Sequence, residues 1–127
     1  MARNASQFPT ELELEILKVL WRDQPCTVRE VRDALSADRD LAYTTVMTVM
    51  GIMAKKKYVK RRKQKSTFVY QAIWTAEATS QGMLNDVVDR VFEGSKLAVM
   101  QQLLETSDLD DSELSEIRKL LSRRNKK

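Results

Sequence analysis

Apolar residues recur along this chain at two different periods, and the switch between them predicts its elements. From Thr10 to Asp23 the spacing is helical, with Leu14, Leu17, Leu20 and Trp21 opposite the polar stripe Glu11, Glu15, Lys18 and Arg22. Thr10 followed by Glu13 is a capping-box pair and marks the start of this first helix. Pro25 breaks the pattern. Thr27 with Glu30 then predicts a second, short helix ending near Leu35, in which Val28, Val31 and Leu35 share a face. Ser36 to Asp40 is polar and turn-like, and a third helix restarts near Ala42. Its buried stripe should be Val46, Val49, Met50 and Met53, at i, i+3, i+4 and i+7.

After Lys57 the period becomes alternating, so Tyr58 to Arg62 and Phe68 to Ile73 read as two strands joined by a tip at Lys63 to Thr67. From about Thr75 the helical period returns. Leu84, Val87, Val88, Val91 and Phe92 share a face of a helix that should break at Gly94, and Leu97, Met100, Leu103 and Leu104 mark the next. Asp110 with Glu113 predicts the cap of a last helix bearing Leu114, Ile117 and Leu121, which ends in a basic run from Arg123 to Lys127. The expected fold is mainly α with a small β-hairpin. Residues 1–74 should form a winged helix-turn-helix domain and residues 75–127 a helical dimerisation domain.

The dimer expectation comes from an excess of apolar stripe. Three helices after a hairpin cannot bury all their apolar residues against so small a domain, and two-fold dimers commonly accompany helix-turn-helix units. The candidate interface is Leu84, Val88, Val91 and Phe92, then Leu97, Met100 and Leu104, then Leu114, Ile117 and Leu121.

Composition narrows the chemistry. With no His and a single cysteine, Cys26, the chain lacks the usual general base, His-based metal sites, cysteine clusters and internal disulfides. No paired carboxylates flank an apolar or glycine-rich segment, so the expectation is no enzyme, no cofactor and no metal. No run of about 18 apolar residues exists and the first residues lack the apolar stretch of a secretion signal, which predicts a cytoplasmic product without membrane insertion.

Charge is unevenly placed. Residues 41–75 hold eight bases and no acid, whereas residues 76–127 hold eight bases and ten acids. A basic block following three helices suits phosphate contact. The candidates are Lys55, Lys56, Arg61, Arg62, Lys63 and Lys65, with Tyr43 at the start of the third helix. Opposite that helix's apolar stripe lie Thr44, Thr48, Gly51 and Lys55, flanked by Thr45 and Ile52, a slim face uncharged until Lys55. Thr44, Thr45, Met47 and Thr48 are the base-edge candidates, because hydroxyls bond either base type and methyl groups pack on thymine. Trp21, Tyr58 and Trp74 sit among apolar residues at element ends, which favours core packing over base stacking, and Cys26 reads as a packed thiol.

Several stretches carry a resemblance: Leu12-Glu13 through Leu20-Trp21, Thr27 to Val31, Leu41 to Val49, Lys55-Lys56 with the strand ending in Tyr70, and Leu109-Asp110 through Leu121. In order and spacing the chain resembles the penicillinase-repressor (BlaI/MecI) family over about Leu12 to Leu121. The resemblance implies a repressor that binds an inverted-repeat operator in double-stranded DNA as a homodimer, on a β-lactamase-type or cell-wall-stress operon. It also implies release by a membrane sensor protease or its downstream protease, with cleavage near Gln102-Leu103, where many members carry Asn-Phe. The Cys-x-Cys motif of the copper-sensing branch is absent. Many relatives have Arg in place of Ile52 and Gly in place of Lys57. Two other readings remain open: a winged-helix adaptor that docks a protein, and a sequence-tolerant duplex-binding protein.

Overall fold

The computed structural model describes residues 8–125. The expectation on the first residues, and Lys126 and Lys127 of the basic tail, lie outside them. Thr10 caps the first helix: its Oγ1 accepts from the Glu13 N–H (3.2 Å) and the Glu13 carboxylate accepts from the Thr10 N–H (2.8 Å). This capping box starts α1, Glu11–Asp23. Thr27 and Glu30 repeat the arrangement (3.1 and 2.8 Å) to start α2, Val28–Leu35. α3, Tyr43–Lys55, follows Ala42, which gives no side-chain cap.

The hairpin consists of β1, Val59–Gln64, and β2, Thr67–Ala72, antiparallel from Val59 opposite Ala72 to Gln64 opposite Thr67. Its turn is only Lys65-Ser66, shorter than the tip expected at Lys63 to Thr67. Backbone pairing of Lys63 with Phe68 and Gln64 with Thr67 continues the ladder past the last apolar residue, because ladder hydrogen bonds do not need apolar alternation. Cys26 bridges Tyr70 through two backbone hydrogen bonds (3.0 and 2.7 Å), tying the α1–α2 connection to the hairpin.

These elements enclose one core. Ile16, Leu17, Leu20, Val31, Val46, Met50, Met53, Tyr58, Val59 and Tyr70 are sealed from solvent. Helix α1 buries a broader side than its Leu14, Leu17, Leu20, Trp21 stripe predicts, including Ile16 and Val19, because α2, α3 and β2 all pack on it. Leu14 is left half-buried. The Trp21 indole N–H donates to the Trp74 backbone carbonyl (2.8 Å), and the Gln24 side-chain Oε1 accepts from the Ala72 N–H (2.8 Å), closing the base of the hairpin.

Three further helices follow: α4, Ala76–Val91, α5, Lys96–Thr106, and α6, Asp111–Asn125. The expected Asp110–Glu113 capping box is present (2.8 and 3.3 Å). Gly94 (φ 84°) and Glu93 (φ 52°) stop α4 in left-handed conformations. The chain divides into two compact units, Met1–Leu84 and Asn85–Lys127, so the division falls inside α4 rather than at Trp74/Thr75. Among the described residues of the second unit no two helices pack extensively, and neither α5 nor α6 has a buried residue.

Candidate nucleic-acid interface

A helix can offer a reading face only if its other side is held. On α3, Val46, Met50 and Met53 are 0% exposed and fix the helix in the core. Turned the other way, Tyr43, Thr44, Thr45, Met47 and Thr48 are all exposed. Among the described residues the three threonine hydroxyls make no hydrogen bond within the chain, so they neither cap the helix nor bond back to it. Their donors and acceptors are available to a ligand.

The connection into α3 is pinned by two arginines that the sequence reading did not single out. The Arg32 Nε donates to the Leu41 carbonyl (3.1 Å), and Arg39 forks onto Glu15 of α1 (2.9 and 2.8 Å). The Glu15 carboxylate, in hydrogen-bond contact, pushes the Arg39 guanidinium further above its ordinary value. These partners lie nine and 24 positions apart. No local pattern reveals them.

The basic candidates fall into three groups. Lys55, Arg62, Lys63 and Lys65 are exposed and, among the described residues, form no ion pair, which leaves their charge uncompensated. Arg61 is exposed but oriented: its guanidinium lies 4.5 Å over the Phe68 ring, and Nη1 donates to the Tyr70 hydroxyl (3.3 Å). Lys56 differs. Its ammonium binds the Glu13 carboxylate (2.9 Å), a group only 3% exposed, and sits 5.4 Å from the Tyr58 ring centroid. Lys56 was expected on phosphate, but in this geometry its charge offsets a buried carboxylate and anchors the end of α3 to the start of α1. Lys57, just beyond α3, takes the left-handed conformation (φ 67°) for which glycine is the unstrained residue.

Tyr58 and Trp74 pack in a tilted ring contact with centroids 4.5 Å apart, and Tyr58 is buried, as core packing requires. Cys26 is buried and its Sγ–H donates to the Asp23 carbonyl (3.3 Å). Burial pushes this thiol up, and the nearby Glu30 and Asp23 carboxylates add to the effect, which suppresses the reactive thiolate.

The apolar residues expected at a dimer contact are placed unevenly. Val88 is already buried, at 6% exposure, while Phe92, Leu114 and Ile117 are half-buried. Val91, Leu97, Met100, Leu104 and Leu121 are more than half exposed, as is Leu84 in the first unit. Gln102 and Leu103 are exposed on α5. Among the described residues no helix is long and apolar enough to cross a membrane.

Comparison with known proteins places this geometry. The family model described as penicillinase repressor matches residues 9–123. A transcriptional regulator BlaI of Mycobacterium tuberculosis is 35% identical over 105 residues, 81% of this chain and 76% of that protein. A methicillin resistance regulatory protein MecI of Mammaliicoccus sciuri is 20% identical over 112 residues, 88% of this chain and 91% of the relative. The solution structure of the DNA-binding domain of the repressor BlaI matches with a TM-score of 0.50 at 26% identity, covering 55% of this chain and 85% of that one.

Proposed function

This chain belongs to the penicillinase repressor family, whose members are transcriptional repressors and not enzymes; from that premise we propose that it binds an inverted-repeat operator as a homodimer. Helix α3 enters the major groove, with Thr44, Thr45, Met47 and Thr48 at base edges. Tyr43, Lys55, Arg61, Arg62, Lys63 and Lys65 meet phosphates, while Lys56 serves to hold α3 in place. The observation that carries this reading is the two-sidedness of α3: a sealed apolar side opposite threonines that have no partner among the described residues, next to a hairpin whose bases form no ion pair among them.

The second copy covers the apolar residues of the last helices, Leu97, Met100, Leu104 and Leu121 among them, which a lone chain leaves in water. Repression acts on a β-lactamase-type or cell-wall-stress operon in the cytoplasm. Cleavage at Gln102-Leu103, by a membrane sensor protease or a protease downstream of it, would cut α5 within that interface and release the DNA.

A salt-dependent gel shift of the full chain on inverted-repeat promoter DNA against scrambled DNA tests the central claim. Preference for the repeat, altered by Thr48→Ala, supports it. Equal shifts on both duplexes would make this a sequence-tolerant binder, and no shift a protein-docking adaptor.

A further inference from the structure

Paired hydrogen bonds to a base edge are made by Arg, Lys, Asn, Gln, Asp or Glu, whose side chains reach two atoms of one base. From Tyr43 to Ala54, α3 contains none of them, and Lys55 in the last turn is the first. Besides three threonine hydroxyls and the Tyr43 phenol at its start, this stretch exposes hydrocarbon and thioether: Met47 and Ile52 are 45% and 43% exposed. Ile52 stands one helical turn past Thr48 on the same side, away from the buried Val46, Met50 and Met53.

Gly51 lies between these two. Among the described residues a Cβ at Gly51 would meet no heavy atom within 4 Å, and its backbone is not left-handed. Neither packing nor conformation within the chain demands glycine there, although glycine weakens a helix interior relative to alanine. A position stripped of its side chain in the middle of an outward face allows another surface to come close to the backbone. The apolar group that the major groove presents is the thymine 5-methyl.

Resting on the operator-binding reading above, we infer that α3 recognises its operator through thymine methyl groups, with Met47 and Ile52 packing on them and Gly51 as the point of closest approach. The threonine hydroxyls add hydrogen bonds of low base selectivity. Discrimination then comes from methyl burial rather than from bidentate bonding.

Deoxyuridine separates the two, since it removes the methyl and keeps every hydrogen-bonding group of thymine. A preferred duplex is selected with the full chain from a pool randomised over about 30 base pairs, enough for two half-sites. It is then resynthesised with deoxyuridine at one thymine at a time. Affinity should fall about four-fold at each contacted thymine, the order expected for one buried methyl. Ile52→Ala should bind thymine and deoxyuridine equally at one of those positions. Gly51→Ala should unfold at a higher temperature yet bind the selected duplex about ten-fold more weakly, because a methyl is forced into a close contact.

If every deoxyuridine duplex bound within about two-fold of its parent while scrambled DNA was rejected, methyl reading would be overturned and operator binding would stand. Gly51→Ala binding as tightly as the unaltered chain would likewise overturn the close approach. Recovery of no preferred sequence would overturn the operator reading, and this inference with it.

Discussion

The DNA-binding unit and the helices after Asn85 carry apolar stripes of similar helical spacing, yet they dispose of them in opposite ways. In the first unit the stripes of α1, α2 and α3 converge, and Ile16, Leu20, Val46, Met50 and Met53 leave no surface to solvent. Its buried carboxylate Glu13 is matched by Thr10 and Lys56, and the half-buried Trp21 indole by the Trp74 carbonyl, while the buried Thr79 hydroxyl has no partner among the described residues. In the second unit Leu97, Met100, Leu103 and Leu121 each expose more than half of their surface. Apolar periodicity therefore specifies a face to be covered and not what covers it. In the first unit the cover comes from the same chain, and in the second the proposed cover is another copy.

The sharpest way to break this contrast is to charge the uncovered face. Leu97→Asp with Leu104→Asp should convert a dimer to a monomer, losing more than about 3 kcal/mol of association from two buried leucines. Light scattering across concentrations reads the mass, and the fold of the first unit should persist by circular dichroism. A monomer at all concentrations for the unaltered chain would remove the proposed cover altogether. Met50→Ala attacks the sealed side and should cost about 2–5 kcal/mol in urea unfolding, by transfer and cavity together.

A smaller effect is expected where the two kinds of surface meet. Glu13→Ala removes a capping group and the partner of Lys56, and should cost about 1–3 kcal/mol in the same unfolding experiment. It also frees the Lys56 ammonium, so any loss of DNA affinity should be less than that of stability. The smallest effect has the opposite sign: Lys57→Gly relieves a left-handed lysine and should stabilise by about 0.5–1 kcal/mol, read as a rise in Tm. No rise would mean that the α3 terminus bears no strain.

Much of the fold that frames the candidate interface was legible in the sequence. Thr10–Glu13, Thr27–Glu30 and Asp110–Glu113 act within a single helical turn, so three residues of spacing suffice to recognise them, and all three boxes form. The two sides of α3 were equally readable because helical period alone separates Val46, Met50 and Met53 from Thr44 and Thr48. The hairpin tip was misplaced because Lys63, Gln64 and Thr67 carry no apolar signal, although their backbones continue the ladder.

By itself, then, the sequence determined the order of helices and hairpin, the inward sides of α2 and α3 and the block of positive charge, since these depend on neighbours within a few residues. Tertiary structure alone decided which charges remain available. Lys55 and Lys56 are adjacent and chemically identical, yet among the described residues one forms no ion pair and the other is drawn to a buried carboxylate 43 residues away. An ion pair depends on distance in space, and that distance exists only once the core of α1 and α3 has closed.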